Sequence, residues 1–218
     1  MSKVIRIGTR PSPLAAKQAE EIARRIPQFR VKIVFIETKG DQDKTTPLFG
    51  RENSDFFTAE IEAALLSGKI DAAVHSAKDL ESDMPQGLII AALTRSLSPF
   101  ECLVSRGNLS LEELPRASRL GTSSLKRKEA ILRFRNDLAV EGIRGNIEQR
   151  LAQLDSGRYD AVIIAHAALI RLGYEQRIAQ IIPRKIIEPH PLQGRLAVQI
   201  RRDRYDLLDI FRSLDEKE

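Results

Sequence analysis

Residues 70–79 read Ile-Asp-Ala-Ala-Val-His-Ser-Ala-Lys-Asp, an apolar run that ends abruptly in a cation beside a carboxylate. Ligands of α/β sheets bind outside the carboxyl ends of the strands, so Lys78 and Asp79 fall where a positive clamp and an acid can meet a reacting group. Read alone, the pair also fits a strand followed by a polar surface turn. Other cationic segments weigh against that. Gly121-Thr-Ser-Ser-Leu-Lys126-Arg127 puts hydroxyls, including that of Ser124, and backbone N–H groups at a helix start with two cations in its first turn. Cations there oppose the helix dipole unless an anion offsets them, so the segment reads as an anion cradle; ordinary Ser/Thr capping explains the hydroxyls but not the cations.

Arg144-Gly145-Asn146 precedes another helix, and Arg150 lies about one turn further on, so two guanidinium forks can converge on a carboxylate or phosphate. Arg10, just before a Ser12 cap, and Arg171, after the apolar run 161–165, repeat the arrangement. Cations at so many strand-to-helix junctions imply one ligand carrying many negative groups. His75, at a strand end with no carboxylate partner evident from spacing, reads as structural, and Cys102, inside an apolar run, as a small buried hydrophobe.

The elements that must position these residues alternate. Strands are expected at 4–7, 31–36, 72–75, 88–93, 102–104, 161–165 and 196–200. Helices are expected at 14–26, 56–66, 125–134, 146–154 and 205–214, with a long polar loop over 39–55. This order predicts an α/β fold with mostly parallel sheets flanked by helices, in two lobes with a cleft between.

Composition narrows the function. The chain has 218 residues, 42% of them hydrophobic, and the whole net charge of +5 lies in residues 95–188. Only 5% of residues are aromatic, and no aromatic-plus-basic strand of the RNA-binding type occurs, so a small polyanion suits the charge better than nucleic acid. One cysteine excludes an internal disulfide, and the three histidines lack metal-ligand spacing, so no metal is expected. No 18-residue apolar run or secretory signal pattern occurs, and a cytoplasmic protein with no membrane partner is expected.

Taken together, these segments resemble the porphobilinogen deaminases, also called hydroxymethylbilane synthases. The resemblance rests on Ile7-Gly8-Thr9-Arg10-Pro11-Ser12-Pro13-Leu14-Ala15, Thr38-Lys39-Gly40-Asp41, His75-Ser76-Ala77-Lys78-Asp79 and Pro85-Gln86-Gly87-Leu88 in the first half. It continues through Gly121-Thr122-Ser123-Ser124-Leu125-Lys126-Arg127, Arg144-Gly145-Asn146 with Arg150, and Arg171-Leu172-Gly173. It implies lobes like those of a type II periplasmic binding protein, residues 1–94 plus 190–218 forming one and 98–186 the other.

The resemblance further implies a transferase of heme and porphyrin biosynthesis that joins four porphobilinogen molecules head to tail, releases ammonia at each step, and extends them from a dipyrromethane primer. Asp79 would be the catalytic carboxylate. Arg10, Ser12, Lys78, Ser124, Lys126, Arg127, Arg144, Arg150 and Arg171 would hold carboxylates of primer and substrate. Members of the family continue into a third domain whose cysteine anchors the primer; Cys102 does not align with it, so no covalent attachment is expected here, and a separate chain is one way to supply that domain. Lys126 stands where arginine is common, and Pro191-Leu192-Gln193-Gly194-Arg195 where the family has Val-Gly-Gln-Gly-Ala. A non-catalytic protein that binds a linear tetrapyrrole or another polycarboxylate is the alternative.

Overall fold

The computed structural model describes residues 4–43, 55–80 and 84–216. They form two compact units: the first takes in the described residues up to Asp43, those from 55 to Leu97 and those from Arg195 on, and the second runs from Ser98 to Gly194.

In the first unit, strands β1 (Val4–Thr9), β2 (Arg30–Phe35), β3 (Ala72–Ser76), β4 (Leu88–Leu93) and, from the far end of the chain, β10 (Leu196–Arg201) make one sheet in the order β2-β1-β3-β10-β4. β1 is parallel to β2 and β3, whereas β10 is antiparallel to β3 and β4, so four strands run one way and β10 against them. Helices cover both faces, which is why the central strands are nearly continuous apolar runs. On one face Ile5, Ile7, Val74, Val198 and Ile200 pack with Ala19 and Ile22 of α1 (Pro13–Arg24) and with Leu207 and Phe211 of α7 (Tyr205–Arg212). On the other, Ala73, Ile70 and Leu88 pack with Ile61 and Leu65 of α3 (Ala59–Leu66). At the amino end of β3, Asp71 takes hydrogen bonds from Arg6 N (2.9 Å), Nε (2.8 Å) and Nη2 (3.0 Å) and from Arg204 Nη1 (3.0 Å), pinning β1 and the start of α7 together.

The second unit repeats this plan. β5 (Glu101–Ser105), β6 (Arg119–Gly121), β7 (Ala139–Glu141), β8 (Ala161–Ala165) and β9 (Gln180–Ile182) lie in the order β7-β6-β8-β5-β9. β6 is parallel to β7 and β8, and β5 is antiparallel to β8 and β9, so again one strand opposes four. Leu103, Leu120, Ile131, Leu138, Ile163 and Ile182 fill its core.

Where sequence and structure differ, the cause is local. The start of the expected 39–55 loop winds into α2 (Lys39–Gln42), because Thr38 and Asp41 cap each other's backbone; residues 44–54 lie outside the described residues. The expected 56–66 helix opens as a 3-10 turn, Asp55–Phe57, before α3 begins at Ala59. The three-residue strands β7 and β9 are too short to show a period. The seven-residue α6 (His166–Leu172) follows β8 without a polar break.

Candidate functional site

In the first unit, every expected site residue lies just beyond the carboxyl end of a parallel strand. Arg10 follows β1. Thr9 Oγ1 donates to Ala15 O and Val74 O (both 3.3 Å), which fixes the start of the connection against β3. Ser12 accepts from Ala15 N (3.2 Å) as the cap of α1, and Pro13 occupies the first helical position, where its missing N–H costs nothing. The Ser12 hydroxyl proton remains able to donate.

Arg10 is held as a shaped fork. Its Nε donates to Asp41 Oδ1 (3.1 Å) and Oδ2 (3.2 Å), its Nη2 also donates to Oδ1, and its Cζ lies 4.2 Å from the Phe57 ring centroid. Thr38 N (3.1 Å) and Oγ1 (2.8 Å) donate to Asp41 in turn. Burial works against the Asp41 charge, yet hydrogen bonds and charge from Arg10, with Thr38, hold its carboxyl below the ordinary value. Gly40 is required here, since a Cβ would sit 2.1 Å from the Phe57 ring. One edge of the guanidinium, Nε and Nη2, is thus committed to Asp41.

Lys78 and Asp79 sit in a single 3-10 turn, Ala77–Asp79, directly after β3. Ala77 N donates to Arg195 O (3.0 Å), so the pairing of β3 with β10 runs right up to this turn. Asp79 is half-buried, and among the described residues none forms a hydrogen bond or ion pair with its carboxylate.

In the second unit, Gly121 ends β6 where a Cβ would crowd Ile143 and Tyr159 at 3.1 Å. The hydroxyls that follow do more structural than binding work: Ser123 Oγ donates to Ile143 O and accepts from Ile143 N (3.2 Å), and Thr122 is fully buried. Ser124 accepts from Arg127 N (3.4 Å) as the cap of α4 (Leu125–Phe134). Lys126 is exposed, whereas Arg127 points inward, its Nε and Nη2 donating to Glu101 Oε1 (2.9 Å) and Oε2 (2.7 Å).

After β7, Arg144 lies two residues before the Asn146 cap and Arg150 four residues after it. Asn146 and Gln149 form a reciprocal cap, Asn146 N donating to Gln149 Oε1 (3.0 Å) and Gln149 N to Asn146 Oδ1 (2.9 Å), at the start of α5 (Ile147–Asp155). Gly145 takes φ +104°, and a Cβ there would lie 2.8 Å from Gln149, so only glycine makes this turn. Arg150 Nε donates to Gly145 O (2.9 Å), and Gln153 Nε2 donates to Arg144 O (2.9 Å). Arg171, in the last turn of α6, donates from Nη2 to Gly194 O (3.0 Å).

Two acids, each pairing with an expected site residue of its own unit, are not singled out by the sequence. Asp41 was signalled by its spacing from Thr38, a capping box, and Glu101 by being a charge inside the apolar run Phe100–Val104. Cys102 is fully buried, its Sγ donates to Ile164 O (3.2 Å), and burial, with the Glu101 charge, pushes its thiol up to about 12. Such a thiol does not fit a thioether anchor for a primer.

The family model described as "porphobilinogen deaminase, dipyromethane cofactor binding domain" matches residues 5–209. The chain belongs to the porphobilinogen deaminase family. A porphobilinogen deaminase of Pelotomaculum thermopropionicum is 40% identical over 222 residues, covering 100% of this chain and 71% of the relative; one of Dichelobacter nodosus is 43% identical over 203 residues, covering 91% and 67%. Among solved structures, the VFT2 domain of Bordetella pertussis BvgS superposes with a TM-score of 0.53 at 14% identity, covering 97% of this chain and 86% of that one, a likeness of fold alone. The fold is of the type II periplasmic binding-protein kind. As a family member the chain is a transferase of the hydroxymethylbilane synthase type, with dipyrromethane as the expected cofactor.

Proposed function

We propose that Asp79 is the carboxylate on which head-to-tail condensation of porphobilinogen depends, and that Arg10, Ser12 and Lys78 of the first unit, with Ser124, Lys126, Arg127, Arg144, Arg150 and Arg171 of the second, hold the acetate and propionate groups of substrate and primer. The observation that carries this reading is the contrast between Asp79 and the other acids near the strand ends. Asp41 and Glu101 are each chelated by an arginine, while Asp79 leaves a strand end with no described partner.

When ammonia leaves the aminomethyl group, the pyrrole becomes a cationic methylene-pyrrolenine. A fixed carboxylate accepting its N–H stabilises that cation more than the neutral ground state, and so lowers the barrier. The forks hold carboxylates in place and bring the next pyrrole to bonding range. Dipyrromethane, when bound, supplies the pyrrole terminus to which the first substrate is joined. Its carboxylates suit Lys126, Arg144 and Arg150, while its attachment is not through Cys102.

Among the described residues no helix is long and apolar enough to cross a membrane. From membership of the family we infer a cytoplasmic enzyme whose partners are porphobilinogen and linear pyrroles. The test is incubation with porphobilinogen, with and without added dipyrromethane primer, followed by oxidation and the absorbance of uroporphyrin. Porphyrin formed at least with primer is the expected result; none under either condition would overturn the reading.

A further inference from the structure

Behind the Lys78–Asp79 turn lies a polar column in an otherwise apolar layer. His75 on β3, Gln199 on β10 and Glu62 on α3 are all at least nine-tenths buried, and Gln199 Nε2 donates to Glu62 Oε1 (2.9 Å). The register pairs His75 with Ala197 and Gln199 with Ala73, so the two side chains are diagonal neighbours on the sheet face that α3 covers, beside Ile61, Leu65 and Leu88. His75 Nε2 and Gln199 Oε1 are buried, and neither reaches hydrogen-bonding distance of a partner among the described residues.

Because the Gln199 amide nitrogen is turned to Glu62, its oxygen is what it offers the ring, and only an imidazole carrying its proton on Nε2 complements it. Burial pushes the His75 ring down to about 4; the neighbouring Gln199 amide opposes part of that shift, and the charge of Arg10 at the end of β1 adds to it. Glu62 of α3 joins the column through Gln199, and Lys78 and Asp79 follow His75 by three and four residues in the chain. On the opposite face, α1 meets the same strand end through Gln18 Nε2, which donates to Ser76 Oγ (2.8 Å). Apolar residues would fill this layer at less cost, so a role for three buried polar groups beside the reactive turn is indicated.

We propose that Glu62, Gln199 and His75 form a positioning column for Asp79: Gln199, turned by Glu62, faces its amide oxygen to Nε2–H of the imidazole, and the column fixes the end of β3 from which the Asp79 turn is presented. This rests on the reading of Asp79 as the carboxylate that meets the reacting pyrrole, but its test does not depend on turnover.

Nitrogen-15 spectra of the full chain at pH 7 should show His75 neutral and protonated on Nε2. A protonated ring, or the Nδ1–H tautomer, would overturn the proposal. Gln199→Leu keeps the volume and removes the acceptor. It should displace the backbone amide resonances of Lys78 and Asp79 while leaving those of residues 119–165 in place, and lower kcat for porphobilinogen at least ten-fold with KM within two-fold. Unmoved Lys78 and Asp79 amides, or a rise in KM at unchanged kcat, would count against it. A parent chain without turnover removes the enzymatic reading alone, and the tautomer and the amides then decide; if Gln199→Leu does not fold, the parent tautomer decides.

Discussion

Arg127 lays Nε and Nη2 along both carboxylate oxygens of Glu101, at 2.9 and 2.7 Å, with the guanidinium 12% and the carboxylate 5% exposed. Arg10 meets Asp41 in the same edge-on way in the other unit. Each guanidinium is therefore already oriented, with part of its charge answered from within. Such a fork loses little conformational freedom on binding.

Removing one partner of a buried pair leaves the other charge uncompensated. Glu101→Leu is expected to destabilise the chain by about 3–5 kcal/mol, and the double variant Glu101→Leu with Arg127→Met to recover most of that loss. Urea unfolding of the parent and both variants measures it. A single variant within about 1 kcal/mol of the parent would show that water reaches the pair.

Asp79→Asn should abolish turnover while polycarboxylate affinity stays near the parent value, because the amide removes the charge facing the cationic intermediate and no donor to a carboxylate. Fixed electrostatic contacts of this kind contribute roughly 2.7–4 kcal/mol, a loss of about 100- to 1,000-fold in kcat. Steady-state rates at saturating porphobilinogen decide the matter. A rate within two-fold of the parent would sink the assignment.

Arg144→Ala and Arg150→Ala should each weaken binding of a linear tetrapyrrole about ten-fold or more, since a charge-assisted hydrogen bond is worth roughly 1.5–3 kcal/mol. Arg24→Ala, on an exposed position of α1, is the control and should change little. Titration calorimetry on the three variants separates the cases, and equal affinities would reduce both arginines to surface charge.

The fold was readable wherever burial imposes a period. Ala15, Ala19 and Ile22 mark the buried stripe of α1, and the unbroken run 161–165 marks a strand covered on both faces. The carboxyl ends of those strands then locate the cations and Asp79. Pairings were not readable, because Arg10 finds Asp41 across 31 residues and Arg127 finds Glu101 across 26, separations that only the strand order brings together. His75 shows no carboxylate partner by spacing and so reads as structural from sequence; its column comes from α3 and from β10, more than 120 residues further on.

Asp71 ties stability to acid. Burial alone would raise its pKa, but hydrogen bonds and charge from Arg6 and Arg204 bring it down to about 2 from an ordinary 3.8. A carboxyl depressed on folding adds stability that is complete above the unfolded value near pH 4 and disappears as pH falls toward 2; this shift corresponds to about 2 kcal/mol. Asp71→Asn should therefore be less stable than the parent at neutral pH and lose less than the parent between pH 4 and pH 2. Parallel acid limbs in urea midpoints measured across that range would show that Asp71 is not the group responsible.

The purified chain should carry no covalently attached dipyrromethane. Its one thiol, Cys102, is on β5 between β8 and β9, donates to Ile164 O, and is pushed up to about 12, so almost no thiolate exists near neutral pH to attack a pyrrole methylene. The same burial should make Cys102 unreactive to Ellman's reagent until the chain is unfolded in urea, when one thiol per chain should react at the ordinary rate. Intact-mass measurement of protein made in cells that synthesise tetrapyrroles tests the first point, with Cys102→Ser as control. An adduct of dipyrromethane mass that disappears in the variant would show that Cys102 anchors the primer after all, and that β5 opens far enough to expose it.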